Sequence, residues 1–220
     1  MTSYADFLDR DVFSTVGQTA DELGMPCYVV GGFVRDKFLD RPIKMDLDFV
    51  TVGSGIELAK AVQKKLSPRP KLSVFKSFGT AHMNHKGVDL EFVGARKESY
   101  QRDSRNPIVE DGTLADDQNR RDFTINAMAI SLNANLWGEL IDPFDGIADL
   151  AKKLLRTPLN PDKTFDDDPL RMMRAVRFAA QLNFKIDSAS LISIRKLGNR
   201  VSIVAPERVS QELNKIMEVS

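Results

Sequence analysis

The stretch that decides the fold is GGFVRDKFLDRPIKMDLDFV, residues 31–50. A short apolar run from Tyr28 to Val30 precedes it and predicts a buried strand, and Phe33 to Leu39 has the composition of a helix. The two glycines therefore lie in a turn between a strand and a helix. Met45 to Val52 predicts a second strand, so the chain begins as a mixed α and β domain.

Two aspartates stand one residue apart on this second predicted strand. Residues i and i+2 of a strand point to the same face, so Asp46 and Asp48 can hold divalent cations while Leu47 and Phe49 face the core. Two Mg²⁺ ions about 3.5–4 Å apart, held by carboxylates, suit the transfer of a nucleotidyl group. The alternative is a pair of solvated residues on the face of a strand, since Asp-x-Asp alone is a common pattern.

A third carboxylate should come from a neighbouring strand. Val88 to Val93 alternates apolar and acidic residues and predicts such a strand. Asp89 and Glu91 project from the same face of it, so the alternation leaves both as candidates for the third acid of the site.

The double glycine supports a phosphate-binding interpretation. Gly31 and Gly32 allow the backbone to approach a phosphate closely, and the N-terminus of the following helix offers unpaired N–H groups. Arg35, one turn into that helix, can add a guanidinium to the same oxygens. An ordinary tight turn is the alternative, but the order of glycines, arginine and acid pair is more specific than any of the three alone.

The rest of the chain divides near residue 150. We expect an amphipathic helix within the first 23 residues, a mixed sheet of about five strands flanked by helices, and a mobile loop from Arg96 to Asn119. Arg120 to Ile130 has helical spacing, and the next segments predict a hairpin, residues 130–132 with 136–141. Residues 1–150 thus form an α+β domain. Residues 151–220 form a second, all-helical domain, with helices predicted at 170–182, 188–197 and 206–219.

The helix after Asp168 carries the remaining polar pattern. Asp168 can cap the helix, with Pro169 in its first turn. Arg171 and Arg174 follow at intervals of three residues, so all three side chains can share one face near the N-terminus. A carboxylate acceptor beside a guanidinium donor can imitate the Watson–Crick edge of a base, and this role is compatible with capping.

Composition adds bounds rather than an activity. The chain has 31 basic and 31 acidic residues, so its net charge does not indicate a nucleic-acid binder. The one cysteine, Cys27, lies in an apolar run and is expected in the core. No apolar run is long enough for a membrane span, and no signal peptide is evident, so we expect a cytoplasmic protein without a membrane partner. The oligomeric state cannot be predicted from the sequence.

Four segments in order resemble one family. GGFVRDKFLDRPIKMDLDFV, RRDFTINAMAI, DPFDGIADL and DDPLRMMRAVRFAAQL together span residues from about 28 to 182. They are similar to the signatures of the class II tRNA nucleotidyltransferases and bacterial poly(A) polymerases, a branch of the polymerase beta superfamily. The resemblance implies a nucleotidyltransferase head followed by a helical neck that forms the other wall of a nucleotide cleft.

The resemblance also implies roles for individual residues. Gly32 and Arg35 would contact the nucleotide phosphates, and Asp46 and Asp48 would bind Mg²⁺. Glu91 matches the third acid of the family, because it stands five residues ahead of Arg96, and Asp89 is the alternative. The later motifs imply further nucleotide-binding residues. Arg121, Asp122 and Asn126 would contact the triphosphate and sugar. Asp168 and Arg171 would read the base, with support from Arg174. One residue departs from the pattern, since Asp167 stands where the family has Glu.

The implied activity is template-independent addition of CMP and AMP, from CTP and ATP, to the 3′ end of an RNA, with the CCA end of tRNA as the leading substrate. A poly(A) polymerase of the same family shares all these motifs. A regulatory module that binds nucleotide or RNA without turnover is a third hypothesis. Family members continue into helices that grip tRNA, and this sequence ends within the implied neck. We therefore expect weak RNA binding from these residues alone.

Overall fold

The computed structural model describes residues 3–42, 46–101 and 104–218, and these contain nine α-helices. None of these nine helices is long and apolar enough to cross a membrane. The helices are α1 (Asp11–Glu22), α2 (Gly32–Phe38), α3 (Gly55–Lys65), α4 (Leu114–Asn119), α5 (Gly146–Ala151), α6 (Pro161–Asp167), α7 (Leu170–Leu182), α8 (Ser188–Leu197) and α9 (Pro206–Met217).

The main sheet has seven strands, and the α+β class is confirmed. Its strands are β1 (Cys27–Val30), β2 (Asp46–Thr51), β3 (Leu72–Phe75), β4 (Thr80–His85), β5 (Val88–Gly94), β8 (Ala129–Ser131) and β9 (Leu140–Ile141), with β6 (Arg96–Gln101) and β7 (Ser104–Asp111) outside it. The order across the sheet is β3-β4-β5-β2-β1-β8-β9. Only the central pair β2 and β5 is parallel among these seven strands.

The expected number of about five strands was too low because the predicted hairpin is part of the main sheet and not a separate element. Its first strand, β8, pairs antiparallel with β1 and places Ser131 opposite Tyr28, and β9 pairs with β8 in turn. The backbone groups at that edge of the sheet are thereby satisfied, and the sheet gains two strands.

Side-chain alternation on β2 separates the core from the site, as the sequence predicts. Leu47 and Phe49 are fully buried beneath α1 and α3, whereas Asp46 is exposed on the opposite face. Phe49 stacks on Phe92 of β5, with ring centroids 5.0 Å apart. Because Phe49 and Phe92 face each other in register, the residues one position earlier, Asp48 and Glu91, are neighbours on the other face. Met45 lies outside the described residues.

The segment from Arg96 to Asn119 is not the loop that was predicted. It forms the antiparallel pair β6 and β7, with Arg96 opposite Asp111, and then the helix α4. Thr113 caps α4, accepting from the backbone N–H of Asp116, whose carboxylate accepts from the N–H of Thr113. The strands escaped prediction because their sequences lack apolar alternation.

The helix predicted from Arg120 to Ile130 is also wrong. α4 ends before it, and the segment contains a short 3₁₀ turn, Thr124–Asn126, followed by β8. Asp122 explains the break, because its carboxylate accepts from the backbone N–H of Phe123 at 2.8 Å and from Asn126 Nδ2 at 3.0 Å. A short acidic side chain that bonds to its own neighbours competes with helix formation.

After residue 150 the chain is mostly helical. α7 packs against α9, and α6 packs against α8. Two short strands, β10 (Leu154–Leu155) and β11 (Lys185–Ile186), form a parallel pair. The prediction that this part is all-helical was therefore wrong in this detail. These strands escaped prediction because two residues are too few to show a strand period. The domain boundary near residue 150 stays a prediction.

Candidate active site

An acidic cluster lies on the open face of the central parallel strands. The register of β2 and β5 places Asp46 beside Asp89 and Asp48 beside Glu91. Burial, followed by the negative charge of Asp46, raises the pKa of Asp48 from 3.8 to about 6, and Glu91 adds to the rise. Arg121 opposes it only in part. Asp48 thus lies in a site with too little positive charge, which is a property that a bound cation would correct.

The two candidates for the third acid differ in their partners. Asp89 accepts a hydrogen bond from Asn84 Nδ2 at 2.8 Å and lies 3.3 Å from His82 Nε2. Glu91 has no hydrogen-bond or ion-pair partner among the residues that the structure describes. Because Glu91 is both next to Asp48 and unpaired, the geometry favours it over Asp89 as the third acid.

These acids fit Mg²⁺ as part of a site rather than as a complete cage. Within residues 3–42, 46–101 and 104–218, no three acidic, His or Cys side chains come together closely enough to hold a metal ion by themselves. Mg²⁺ commonly takes one or two protein carboxylates and completes its shell with water and substrate phosphates. The donor set of Asp46, Asp48 and Glu91 matches that mode of binding.

The glycine turn lies directly against the acids. Gly31 has a φ of 73° and a ψ of −132°, a conformation that a residue with a side chain rarely adopts. A Cβ at Gly31 would lie 3.4 Å from Asp48 Oδ2 and 3.3 Å from Arg121 Nη1. Gly32 begins α2 at once. The missing side chain leaves the approach to Asp48 open at the position where the sequence predicts a phosphate.

Arg35 is more constrained than the sequence suggests. Its side chain is buried, with Nε and Nη2 donating to the two carboxylate oxygens of Asp36, each at 2.9 Å. Nη1 donates to Asn126 Oδ1 at 2.8 Å. Arg35 therefore holds the 3₁₀ turn against α2, and phosphate contact by this residue stays a prediction.

Asp122 joins this turn to the neck. Arg174 of α7 donates through Nε to Asp122 Oδ2 at 2.7 Å, and its Nη2 lies 2.6 Å from the same oxygen. Burial by itself would raise the pKa of Asp122, but the charge of Arg174 and a hydrogen bond from Asn126 lower it to about 2. The charged pair of Asp122 and Arg174 thus connects the 3₁₀ turn to α7 at the site, in addition to apolar packing.

Arg121 is positioned by a residue that the sequence did not single out. Asp117 of α4 is fully buried and accepts from Arg121 Nε at 2.9 Å, and it also forms an ion pair with Arg120. Arg121 Nη1 donates to the backbone oxygen of Asn126 at 3.2 Å. The spacing of three and four residues between Asp117 and the arginines could have indicated this pairing, had α4 been predicted.

The predicted base-reading residues lie at the start of α7. Asp168 Oδ1 accepts from the backbone N–H of Leu170 at 3.2 Å, but the N-cap of α7 is Pro169, so the predicted N-cap position was one residue too early. Arg171 is buried, and its Nη1 donates to the backbone oxygen of Thr164 at 3.3 Å. Both side chains reach the same cavity as the acids. Their contact with a base stays a prediction.

One cavity of about 450 Å³ collects nearly all the predicted site residues. Glu91 is the exception: it does not line the cavity but adjoins it through its register with Asp48. The predicted residues in the lining are Gly31, Gly32, Arg35, Asp46, Asp48, Arg121, Asp122, Asn126, Asp168, Arg171 and Arg174. The site thus forms between residues as far apart as Gly31 and Arg174, and its volume lies in the range of ligand pockets.

The cavity also contains residues that sequence reasoning missed, namely Phe33, Asp36, Arg120, Arg177, Phe178 and Arg208. Phe178 lies beneath three guanidiniums, with Cζ of Arg35, Arg174 and Arg177 at 5.2, 5.3 and 4.3 Å from its ring centroid. The repeat of arginine at every third position of α7 could have indicated Arg177. Nothing local indicates Arg208, which reaches the cavity only because α9 packs on α7.

Comparison with known proteins agrees with this geometry. Residues 27–156, more than half of the 220 in the chain, match the family described as "Poly A polymerase head domain". The chain belongs to this family. Residues 183–219, which include α8 and α9, match a second family described as "Probable RNA and SrmB- binding site of polymerase A". The resemblance that the motifs indicated is therefore confirmed.

Relatives of this family member include two groups of enzymes. The chain is 47% identical over 165 residues to the A-adding tRNA nucleotidyltransferase of Aquifex aeolicus, covering 74% of this chain and 19% of that protein. It is 38% identical over 202 residues to the CCA-adding enzyme of Limosilactobacillus reuteri, covering 91% and 47%. The chain therefore spans about half or less of the length of these relatives.

A solved structure shows the same fold. It is a tRNA nucleotidyltransferase complexed with a primer tRNA and an incoming ATP analogue, at a TM-score of 0.78 and 37% identity. The match covers 92% of this chain and 58% of the other.

Proposed function

We propose that the protein carrying this chain adds CMP and AMP, from CTP and ATP, to the 3′ end of tRNA without a nucleic-acid template. The observation that supports this most is the meeting of two kinds of residue in one cavity. The acids Asp46 and Asp48 line one part of it, and the pair Asp168 and Arg171 lines another. The cavity can therefore hold a triphosphate at the acids while protein side chains contact the base.

Asp46, Asp48 and Glu91 would hold Mg²⁺ in this proposal. When bound, the ions neutralise charge on the triphosphate and favour the deprotonated form of the attacking 3′ hydroxyl. The chain itself contributes the open backbone at Gly31, beside Asp48, and the guanidinium of Arg121. Both lie where phosphate oxygens would approach the acids, and Asp117 fixes Arg121 before substrate arrives. Such preorganised charge lowers the barrier because no reorganisation accompanies the reaction.

In this proposal, residues of the neck select the base. Asp168 is held at the start of α7 by its bond to the N–H of Leu170, and Arg171 is held by the carbonyl of Thr164. Both keep free hydrogen-bonding capacity, since a carboxylate has two acceptor oxygens and a guanidinium has five N–H donors. A rigid acceptor and donor of this kind can distinguish cytosine and adenine from the other bases.

Addition of AMP alone is a second candidate, favoured by the 47% identity to an A-adding enzyme. The two activities are separated with two tRNA substrates, one lacking the whole CCA end and one ending in CC, each given CTP or ATP separately. The proposed function predicts incorporation of CMP into the first and AMP into the second. An A-adding enzyme would extend only the second, and long runs of AMP without CMP would indicate a poly(A) polymerase.

Loss of both reactions, with ATP binding that ignores Mg²⁺ and Asp46→Ala, would instead indicate a regulatory module without turnover. Lys215→Ala, which removes an exposed cation from the last turn of α9, serves as the matched control for nonspecific effects. With tRNA as its substrate, the protein is proposed to work in the cytoplasm.

A further inference from the structure

Among the residues that the structure describes, the arginines of the cavity are not all paired with carboxylates. Seven arginines and five aspartates line it. Most of the arginines are already paired with a carboxylate. The pairs are Arg35 with Asp36, Arg120 and Arg121 with Asp117, Arg174 with Asp122, and Arg177 with Glu212. Two guanidiniums are left without a carboxylate in the described part of the chain, those of Arg171 and Arg208.

Arg208 is the less explained of the two. Arg171 donates to the carbonyl of Thr164, but Arg208 has no hydrogen-bond or ion-pair partner among residues 3–42, 46–101 and 104–218. Arg208 is also half-buried, so its guanidinium is partly removed from water. A desolvated guanidinium without an acceptor is unfavourable, and proteins normally satisfy such groups.

The position of Arg208 is fixed by its helix. Glu212 follows it by one turn, on the same face of α9, and is buried. Glu212 Oε2 lies 2.6 Å from Arg177 Nε, and Oε1 lies 3.9 Å from Arg174 Nη1. These contacts turn one face of α9 toward α7 and the cavity. The backbone of Arg208 is therefore held beside the cavity, which the residue lines.

We propose that Arg208 is a nucleotide-binding residue that donates hydrogen bonds to an oxygen acceptor of the incoming nucleotide. The inference rests on the proposed function and extends the site to a third helix. A guanidinium fork matches phosphate oxygens, which CTP and ATP share, and CTP also offers the carbonyl oxygen of cytosine. The two guanidiniums without a carboxylate in the described residues lie on α7 and α9, and positive charge at that wall suits an anionic ligand. Burial and the neighbouring Arg174 lower the pKa of Arg177, which is a further sign of crowded positive charge.

The test is a calorimetric titration of this chain with ATP and with CTP, each with Mg²⁺. Arg208→Ala should weaken both affinities by about tenfold or more, because a hydrogen bond to a charged group is lost. Arg208→Lys should be intermediate, since it keeps the charge but not the fork. Lys215→Ala, the matched loss of a cation from the same helix, should bind as the wild type does. Because Arg208 has no partner in the described residues, its removal should leave the Tm nearly unchanged.

The outcomes separate the inference from the proposed function. Wild-type binding of both nucleotides with equal binding by Arg208→Ala would overturn the inference and leave the function standing. Absence of binding by the wild type would count against the function itself. Titration with adenosine in parallel identifies the acceptor: a loss for ATP alone assigns a phosphate, and an equal loss for adenosine assigns a ribose oxygen, because adenine has none. A fall in Tm with unchanged affinity would show a structural role and overturn the inference.

Discussion

The cavity has two walls, a head wall formed by residues between 31 and 126 and a neck wall formed by residues between 168 and 208. The two walls carry opposite excesses of charge. On the head wall, Arg35 and Arg121 are each locked to an aspartate, and the groups left over are the carboxylates of Asp46 and Asp48. On the neck wall, the groups without a carboxylate are the guanidiniums of Arg171 and Arg208. We propose that this difference reflects a division of labour, in which the head provides cation ligands for the chemistry and the neck provides donors for nucleotide selection.

The largest effect should come from the head wall. Asp48→Asn removes one charge from the metal-binding acids and should lower kcat by about 10³-fold, since a metal contributes several kcal/mol to the stabilisation of the transition state. Steady-state addition of AMP to a tRNA ending in CC measures this. A kcat within a factor of ten of the wild type would mean that Asp48 is a solvated strand residue.

The next comparison separates the two neighbouring acids of β5. Glu91→Gln should lower kcat by about 10²-fold, because Glu91 adjoins Asp48 and is unpaired in the described residues. Asp89→Asn is the matched control, and it should keep most of the activity because Asp89 is already bound to Asn84. The reverse result in the same assay would assign the third acid to Asp89.

The pair that ties the two walls should matter for stability. Asp122→Asn leaves Arg174 without its main partner and should reduce the free energy of unfolding by about 2 kcal/mol at pH 7. The folded pKa of Asp122 is lowered to about 2, so its contribution is complete above its unfolded pKa of about 4 and is lost as the pH falls toward 2. Urea unfolding of both proteins should therefore show a difference that shrinks below about pH 4. A difference independent of pH would point to packing instead.

The smallest effect has the opposite sign. The pKa of Asp48 is raised from 3.8 to about 6, so its charge destabilises the folded state at pH 7. Asp48→Asn should raise the free energy of unfolding by about 1–2 kcal/mol, after an allowance for screening by solvent. Since a raised folded pKa makes the wild type more stable as the pH falls from above 6 toward 4, the gain should be greatest at pH 7 and above. Thermal unfolding at pH 5 and pH 8, without Mg²⁺, measures it.

Much of the fold and of the site could be predicted because local patterns carry them. The alternation on β2 placed Leu47 in the core and Asp46 on the open face, and the spacing on α7 placed Arg171 near Asp168. Sequence analysis failed where strands lack apolar alternation, as in the hairpin β6 and β7. It also failed at Asp122, where side-chain bonds replaced a helix.

Pairing between distant residues could not be predicted at all. Asp117 holds Arg121 from a helix that was not expected, and Arg208 enters the cavity through the packing of α9 on α7. Arg35 was expected at a phosphate, and its bonds to Asp36 and Asn126 were not predicted. In each of these cases the residue type was visible in the sequence, whereas its partner was set by tertiary structure.

The division of labour is tested most directly by the nucleotide selectivity of Arg171→Ala. The measurement is kcat/KM for CTP relative to UTP, on a tRNA lacking the CCA end, in the variant and in the wild type. If the neck selects and the head catalyses, the ratio should fall toward one while kcat falls much less than in Asp48→Asn. An unchanged ratio with a kcat as low as that of Asp48→Asn would contradict the account, because it would place Arg171 among the groups that carry the chemistry.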